Sequence, residues 1–328
     1  MRVASRVQRA LAVALVLAAA AFLLLWFAPS DHFIYVPDPA RPVDPLVHVR
    51  GERPRHEPGG IYMVDVGIHR ASLLERFFPA IHPGSTLVPE KDFLPPGVSE
   101  QEEERESLEE MKGSQLVAKA VALRSLGYKV RGRGVEVVSV SKGFPAQGVL
   151  ADGDVIVSID GKRVRTPDDL TSVMATRTPG DRVTLRIRRA GRERELTVGT
   201  RADPANKKRA LMGIAIEPKV ALPVQVRIDA GQIGGPSAGL AFALDIVDEL
   251  GRDVDRGRRI VVTGALAFNG RVLPIGGIKQ KTLGARDAHA DAFVVPEANA
   301  AQARRYADGL RIIPVRTFAQ ALSALAPK

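Results

Sequence analysis

Apolar positions follow several different rhythms along this chain, and the first has no interruption. Residues 10–28 (ALAVALVLAAAAFLLLWFA) are nineteen consecutive apolar positions, preceded by Arg2, Arg6 and Arg9. As a helix, such a run is long enough for a hydrocarbon core of about 30 Å. Positive charge ahead of it, and Trp26 and Phe27 at its far end, predict a single-pass anchor that leaves the rest of the chain on the outer face of the cell membrane. A cleaved signal peptide is the alternative, but no small-x-small site follows the bulky LLLWF stretch. Residues 29–60 then carry Pro37, Pro39, Pro42, Pro45, Pro54 and Pro58 with little periodicity, which predicts an extended spacer or edge strand.

Alternation returns at residues 60–68 (GIYMVDVGI), a predicted strand, with a short helix or loop from residue 73. Residues 100–110 hold seven glutamates and lead into Leu116, Ala120 and Leu123 at helical spacing. This predicts a helix to about residue 126 whose acidic start is solvated and favoured by the helix dipole. Between residues 130 and 200 the texture becomes short strands (135–140, 154–160, 182–189 and 193–199) divided by Gly, Pro and Asp turns, with a helix over 166–176. Beyond residue 204, strands at 212–218, 224–229, 259–266, 292–296 and 311–315 mix with helices at 237–250, 277–290 and 298–307. That pattern predicts a mixed sheet covered by helices. The divisions read from this texture are 1–29 (anchor), 30–125 (linker with a strand and a helix), 126–202 (β-rich module) and 203–328 (α/β unit).

Charge and composition narrow the chemistry. The formal net charge is +10, yet the basic residues are dispersed, and the densest cluster (residues 186–194) has no aromatic side chains among it to stack bases. Nucleic acid is therefore not an expected partner. The chain has no cysteine, which excludes thiol catalysis, thiolate-bound zinc and disulfides. No metal or cofactor is expected, since the glutamate run has no histidine nearby.

A glycine-rich loop, residues 231–239, opens directly into an apolar helix and places Ser237 at its start. Amide N–H groups and the dipole there favour a developing oxyanion. The plain alternative is that Ser237 only caps the helix. A serine hydroxyl needs a base. The next glycine-rich helix start, residues 273–281, offers Lys279 and Lys281, about 200° apart around a helix, so only one can face Ser237. Either amine would have to be held neutral by burial, because an exposed lysine is uncharged in only about one molecule in 2,500 at pH 7.

Taken together, the PSAG segment (Pro236, Ser237, Ala238, Gly239, after Gly235), the TGA segment with Thr263, residues 270–277 (GRVLPIGG), the Lys-x-Lys pair and VVPEAN resemble the proteolytic domain of Lon proteases. The resemblance implies a Ser237/Lys281 dyad, with Thr263 positioning the lysine, and a ring-shaped homo-oligomer. Residues 144–146, 153–156, 160–162 and the 166–176 helix resemble a bacterial PDZ domain, which implies binding of a peptide C-terminus. Residues 127–134, with Arg131, Gly132, Arg133 and Gly134, are the expected carboxylate loop. The fold class implied is an α/β (α+β) Lon-type proteolytic domain with a β-rich PDZ domain and an N-terminal transmembrane helix.

Two departures matter. Gly234 stands where Lon proteases often have an acidic residue, and no G-x-x-x-x-G-K-[ST] phosphate loop occurs in these residues. The combination resembles membrane-bound, ATP-independent Lon-like proteases acting on protein or peptide substrates. In that group the strand and helix before the PDZ domain can belong to the peptidase fold, and the sequence leaves this open. Two rivals stand beside the dyad: a G-x-S-x-G hydrolase using His289 with Asp253 or Asp255, and a membrane scaffold without catalysis.

Overall fold

The computed structural model describes residues 2–50, 59–94, 97–204 and 206–326, with side chains from residue 11 onward. The chain opens with α1 (Arg2–Phe27), whose described side chains are largely uncovered: Leu15, Val16 and Phe27 are 69%, 67% and 76% exposed. Among the described residues no helix is long and apolar enough to cross a membrane. The nineteen-residue span expected from the sequence is thus not met in full.

The described part of the proline-rich stretch is strand rather than spacer, and Pro54 and Pro58 lie outside the described residues. That part supplies β1 (Pro29–Pro37), β2 (Arg41–Pro42) and β3 (Val47–Val49), followed by β4 (Gly60–Met63). β2 lies at a sheet edge, as the sequence allows. The strand expected over residues 60–68 breaks at Val64 and Asp65, and its second half is β5 (Val66–Ser72). The break separates two sheets. β5 and β6 (Thr86–Pro89) flank β1 in a three-stranded antiparallel sheet, with α2 (Leu73–Phe77) and α3 (Glu90–Phe93) beside it. The prolines of β1 lie at its two ends, where a missing N–H costs least.

The glutamate run and the helix after it form one element, α4 (Glu100–Ser125). Ser99 opens it with a reciprocal capping box to Glu102, satisfying two amides at the helix start. From Met111 onward it turns Met111, Ala118, Val121 and Ala122 into the main core.

The β-rich module is built from β7 (Arg131–Val140), β8 (Val155–Ile159), β9 (Lys162–Arg163), α5 (Pro167–Met174), β10 (Arg182–Arg189) and β11 (Arg192–Gly199). It has its own core, including Val137, Ile156, Leu170 and Leu185. Next come β12 (Arg201–Ala202), β13 (Ala210–Leu211) and β14 (Ile214–Ala221). The sequence reading gives β14 to the C-terminal unit. It pairs instead with β7, as the last strand in the order β11-β10-β8-β7-β14. Chain order misleads here because antiparallel pairing returns β14 to a strand about eighty residues earlier.

The C-terminal unit comprises β15 (Val226–Ile228), α6 (Gly239–Glu249), β16 (Arg259–Val262), β17 (Ala265–Leu266), β18 (Val272–Leu273), α7 (Ile278–Asp287), β19 (Ala292–Pro296), α8 (Glu297–Tyr306), β20 (Ile312–Val315) and α9 (Phe318–Leu325). The sequence reading has no counterpart for α9. β15 pairs with β3, and the central sheet has the order β2-β4-β16-β19-β20, with β4, β16, β19 and β20 parallel. Strands from before and after the β-rich module therefore complete one sheet.

Alternation along β16 explains the layers. Ile260 and Val262 join the core under α4, α6 and α9, while Val261 faces the opposite core with Ile278, Ala285 and Ala303 of α7 and α8. α6 is buried nearly all round, Leu240, Phe242, Leu244, Ile246 and Val247 being inaccessible. Each such side chain contributes about 1.5–3 kcal/mol by leaving water.

Candidate active site

The central sheet puts α6 on one face and α7 on the other, so residues from the two helices can meet only beyond a sheet end. They meet at the carboxyl ends of the parallel strands, where Thr263 follows β16 and Asp65 follows β4 by two residues. This is where ligands collect in open α/β sheets.

Before α6 the chain makes a short 3-10 turn, Pro236–Ala238, entered through Gly235 at φ 74 and ψ 159. α6 starts at Gly239 with Ala238 as its N-cap and no side-chain cap. Ser237 is therefore not capping a helix, which removes the plain structural alternative. Its Oγ accepts a hydrogen bond from Lys281 Nζ at 2.6 Å. Lys281 Nζ also reaches Thr263 Oγ1 at 3.4 Å, and Thr263 Oγ1 donates to the Ser237 carbonyl at 3.3 Å. The Gly264 amide donates to the same carbonyl at 2.8 Å, so backbone and side chain of the TGA segment both hold the serine.

Lys281 is only 4% exposed, and burial lowers its pKa to about 8, against an opposing pull from the Asp65 carboxylate. An amine at that value is uncharged in about a tenth of molecules at pH 7. Lys279 points elsewhere, donating to the Ser85 carbonyl at 2.9 Å and lying over the Tyr306 ring.

The loop is braced by α4. The Gly235 amide donates to the Ser107 carbonyl at 2.8 Å, and Ser114 Oγ donates to the Pro236 carbonyl at 3.0 Å. Two glycines are needed for this approach: a Cβ on Gly234 would stand 2.3 Å from Ser107 Oγ, and one on Gly239 2.6 Å from Ser114 Oγ.

Ser237 and Lys281 open into a cleft of about 810 Å³. Its walls include Asp65 and Arg41, which the sequence reading does not single out. Arg41 donates to Asp65 at 3.0 Å and to Asp38 at 2.7 Å. Burial raises the Asp65 pKa, with Arg41 working in the other direction. An acidic residue inside the apolar run MVDVGI was the available signal. His289 is not among the cleft residues. It lies past the end of α7 in left-handed backbone, and Asp253 and Asp255 sit at the far end of α6.

Arg131, Gly132, Arg133 and Gly134 do not form a carboxylate loop. They lie in β7, where Arg131 and Gly132 pair with Ala221 and Val220 of β14, and the Gly134 amide donates to the Arg165 carbonyl. The outermost strand beside α5 is β14, entered through Met212, Gly213 and Ile214. Its apolar-glycine-apolar start was legible, but only to a reading that placed β14 in this sheet.

Family comparison agrees with both halves. Residues 101–200 match the family model of the PDZ domain, and residues 207–326 that of the Lon protease (S16) C-terminal proteolytic domain. Lon protease 2 of Thermus thermophilus is 41% identical over 96 residues, 28% of this chain and 12% of that protein. Lon protease 1 of Myxococcus xanthus is 38% identical over 98 residues, again 28% and 12%. The chain thus spans about an eighth of these relatives. A solved PDZ domain of the SdrC-like protein from Listeria monocytogenes is 27% identical, covering 27% of this chain and 93% of its own, with a TM-score of 0.25. This chain joins a PDZ domain to a Lon-type C-terminal proteolytic domain.

Proposed function

We propose that the chain is a serine-type endopeptidase that cleaves protein substrates without ATP, using Ser237 as nucleophile and Lys281 as general base. The observation that carries this reading is the 2.6 Å contact between Lys281 Nζ and Ser237 Oγ, at a lysine whose burial favours the neutral amine. Lys281 takes the hydroxyl proton as Oγ attacks the peptide carbonyl, and amides around Ser237 stabilise the oxyanion. The resulting ammonium gives its proton to the leaving amine. Water then attacks the acyl ester, Lys281 accepts its proton, and Ser237 is restored.

The peptide-binding reading of the PDZ domain moves to β14, where an extended terminus adds as a further strand beside α5. The apolar run at residues 10–28, and the uncovered side chains of α1, support anchoring in a membrane with the catalytic unit outside the cytoplasm. A ring of identical chains rests on the likeness to Lon proteases. Purified chain should cleave unfolded protein without nucleotide, whereas Ser237→Ala and Lys281→Ala should each abolish cleavage and retain the fold. Equal cleavage by either variant would sink the dyad.

A further inference from the structure

A second cleft lies at the opposite end of α6 from Ser237. It measures about 160 Å³ and is walled by Asp44, Asp245, Asp248, Glu249, Asp253 and Asp255, with Gly59 and Gly60 at the start of β4. Carboxylate oxygens of Asp248, Asp253 and Asp255 lie within 4.8 Å of one another. Their positions are fixed locally: Asp248 accepts from the Val254 amide at 2.6 Å, Asp253 from Arg256 at 2.9 Å and Asp255 from Gly257 at 2.7 Å. Acidic side chains at the last turn of α6 also face the negative end of its dipole, an arrangement that calls for positive charge.

Asp245 gives the independent pointer. Its side chain is 4% exposed, it lines the same cleft, and its Oδ2 has no hydrogen-bond partner.

The geometry points to a calcium-type divalent cation site in this cleft, formed by Asp245, Asp248, Asp253 and Asp255. The ligands would all be oxygens, which suits a hard cation. Calcium accepts irregular oxygen coordination, whereas magnesium demands a near-ideal octahedron, which carboxylates drawn from a helix end and a loop supply less readily. The ion would tie the end of α6 to the 250–258 loop. It would therefore fix the helix that carries the nucleophile loop at its other end.

The test uses the full chain, freed of metal by chelator and titrated with Ca²⁺ alone, read by calorimetry and by thermal melting. One Ca²⁺ per chain should bind with saturable heat and raise Tm by several degrees, and Mg²⁺ at equal concentration should raise it less. Asp253→Asn, at an exposed loop position, should melt normally without metal and bind Ca²⁺ at least about tenfold more weakly. Asp245→Asn should show the same loss. If Asp245→Asn does not fold, the Asp253→Asn comparison decides. Metal-free parent that shows neither heat nor a Tm change, or Asp253→Asn that binds Ca²⁺ as tightly as the parent, overturns the site.

Discussion

Ser114 and Pro236 are 122 residues apart in sequence, yet Ser114 Oγ donates to the Pro236 carbonyl at 3.0 Å. The bond joins the middle of α4 to the residue before Ser237, across the strands of the β-rich module. Ser114 is buried, so removing its hydroxyl leaves the carbonyl without that partner. Ser114→Ala should cost about 1–3 kcal/mol in urea unfolding and lower kcat on a small ester substrate. Wild-type stability and wild-type kcat together would show that α4 does not brace the loop.

Thr263→Val keeps the side-chain shape and removes the hydroxyl between Lys281 Nζ and the Ser237 carbonyl. With the amine less well placed, kcat should fall by about tenfold or more while KM changes little. Steady-state kinetics near pH 8 would check this, and an unchanged kcat would remove Thr263 from the positioning of the base.

The pH dependence follows from the lowered lysine pKa. With Lys281 near 8, kcat/KM should climb about tenfold per pH unit below that value and level above it. Lys281→Arg, which cannot become neutral in this range, should be inactive throughout. A profile that stays flat from pH 5 to pH 8 would exclude an amine base.

The same shift carries a stability cost of opposite sense. The folded-state pKa is depressed, so below about pH 8 the buried amine is charged at a loss, and the loss disappears as pH rises toward the unfolded value of 10.5. In that interval the unfolded chain binds more protons, and stability increases with pH. Lys281→Met should therefore stabilise the fold at pH 7 by on the order of 3 kcal/mol, and by much less near pH 10.5. Denaturant midpoints at the two pH values give the comparison.

A fragment covering residues 203–328 contains the matched proteolytic family region but lacks β3, β4 and α4. It would leave β15 and one side of β16 unpaired and uncover the face of α6 that packs on α4. It should be unfolded or aggregated by circular dichroism, whereas the full chain melts cooperatively. A fragment with native-like helix content and a sharp transition would show that the N-terminal strands are dispensable.

Much of the site was legible because local sequence and chemistry agree there. Gly-rich loops at helix starts mark Ser237 and Lys281, and helix phase separates Lys281 from Lys279. α4 follows from 3.6-residue spacing, and the strands of the β-rich module from alternation between turn residues. The failures are non-local. Nothing within residues 29–50 reveals that β1 will be the middle strand of a sheet, because its proline-rich surroundings read as spacer until β5 and β6 are seen to flank it. β14 follows a turn that reads as the start of the C-terminal unit, and the glycines of residues 131–134 read as a loop although they lie in β7. Asp65 acquires its relation to Lys281 only when the ends of β4 and β16 are brought side by side.

The pairing of β4 with β16 also bears on how the chain reaches this state. Gly60 and Arg259 are register partners almost two hundred residues apart, and closing so long a loop from an unfolded chain is slow. An intervening module that folds early on its own core shortens the path to be closed. If the β-rich module folds first on that core, substitutions within it such as Leu185→Ala should slow the appearance of the Ser237–Lys281 contact during refolding.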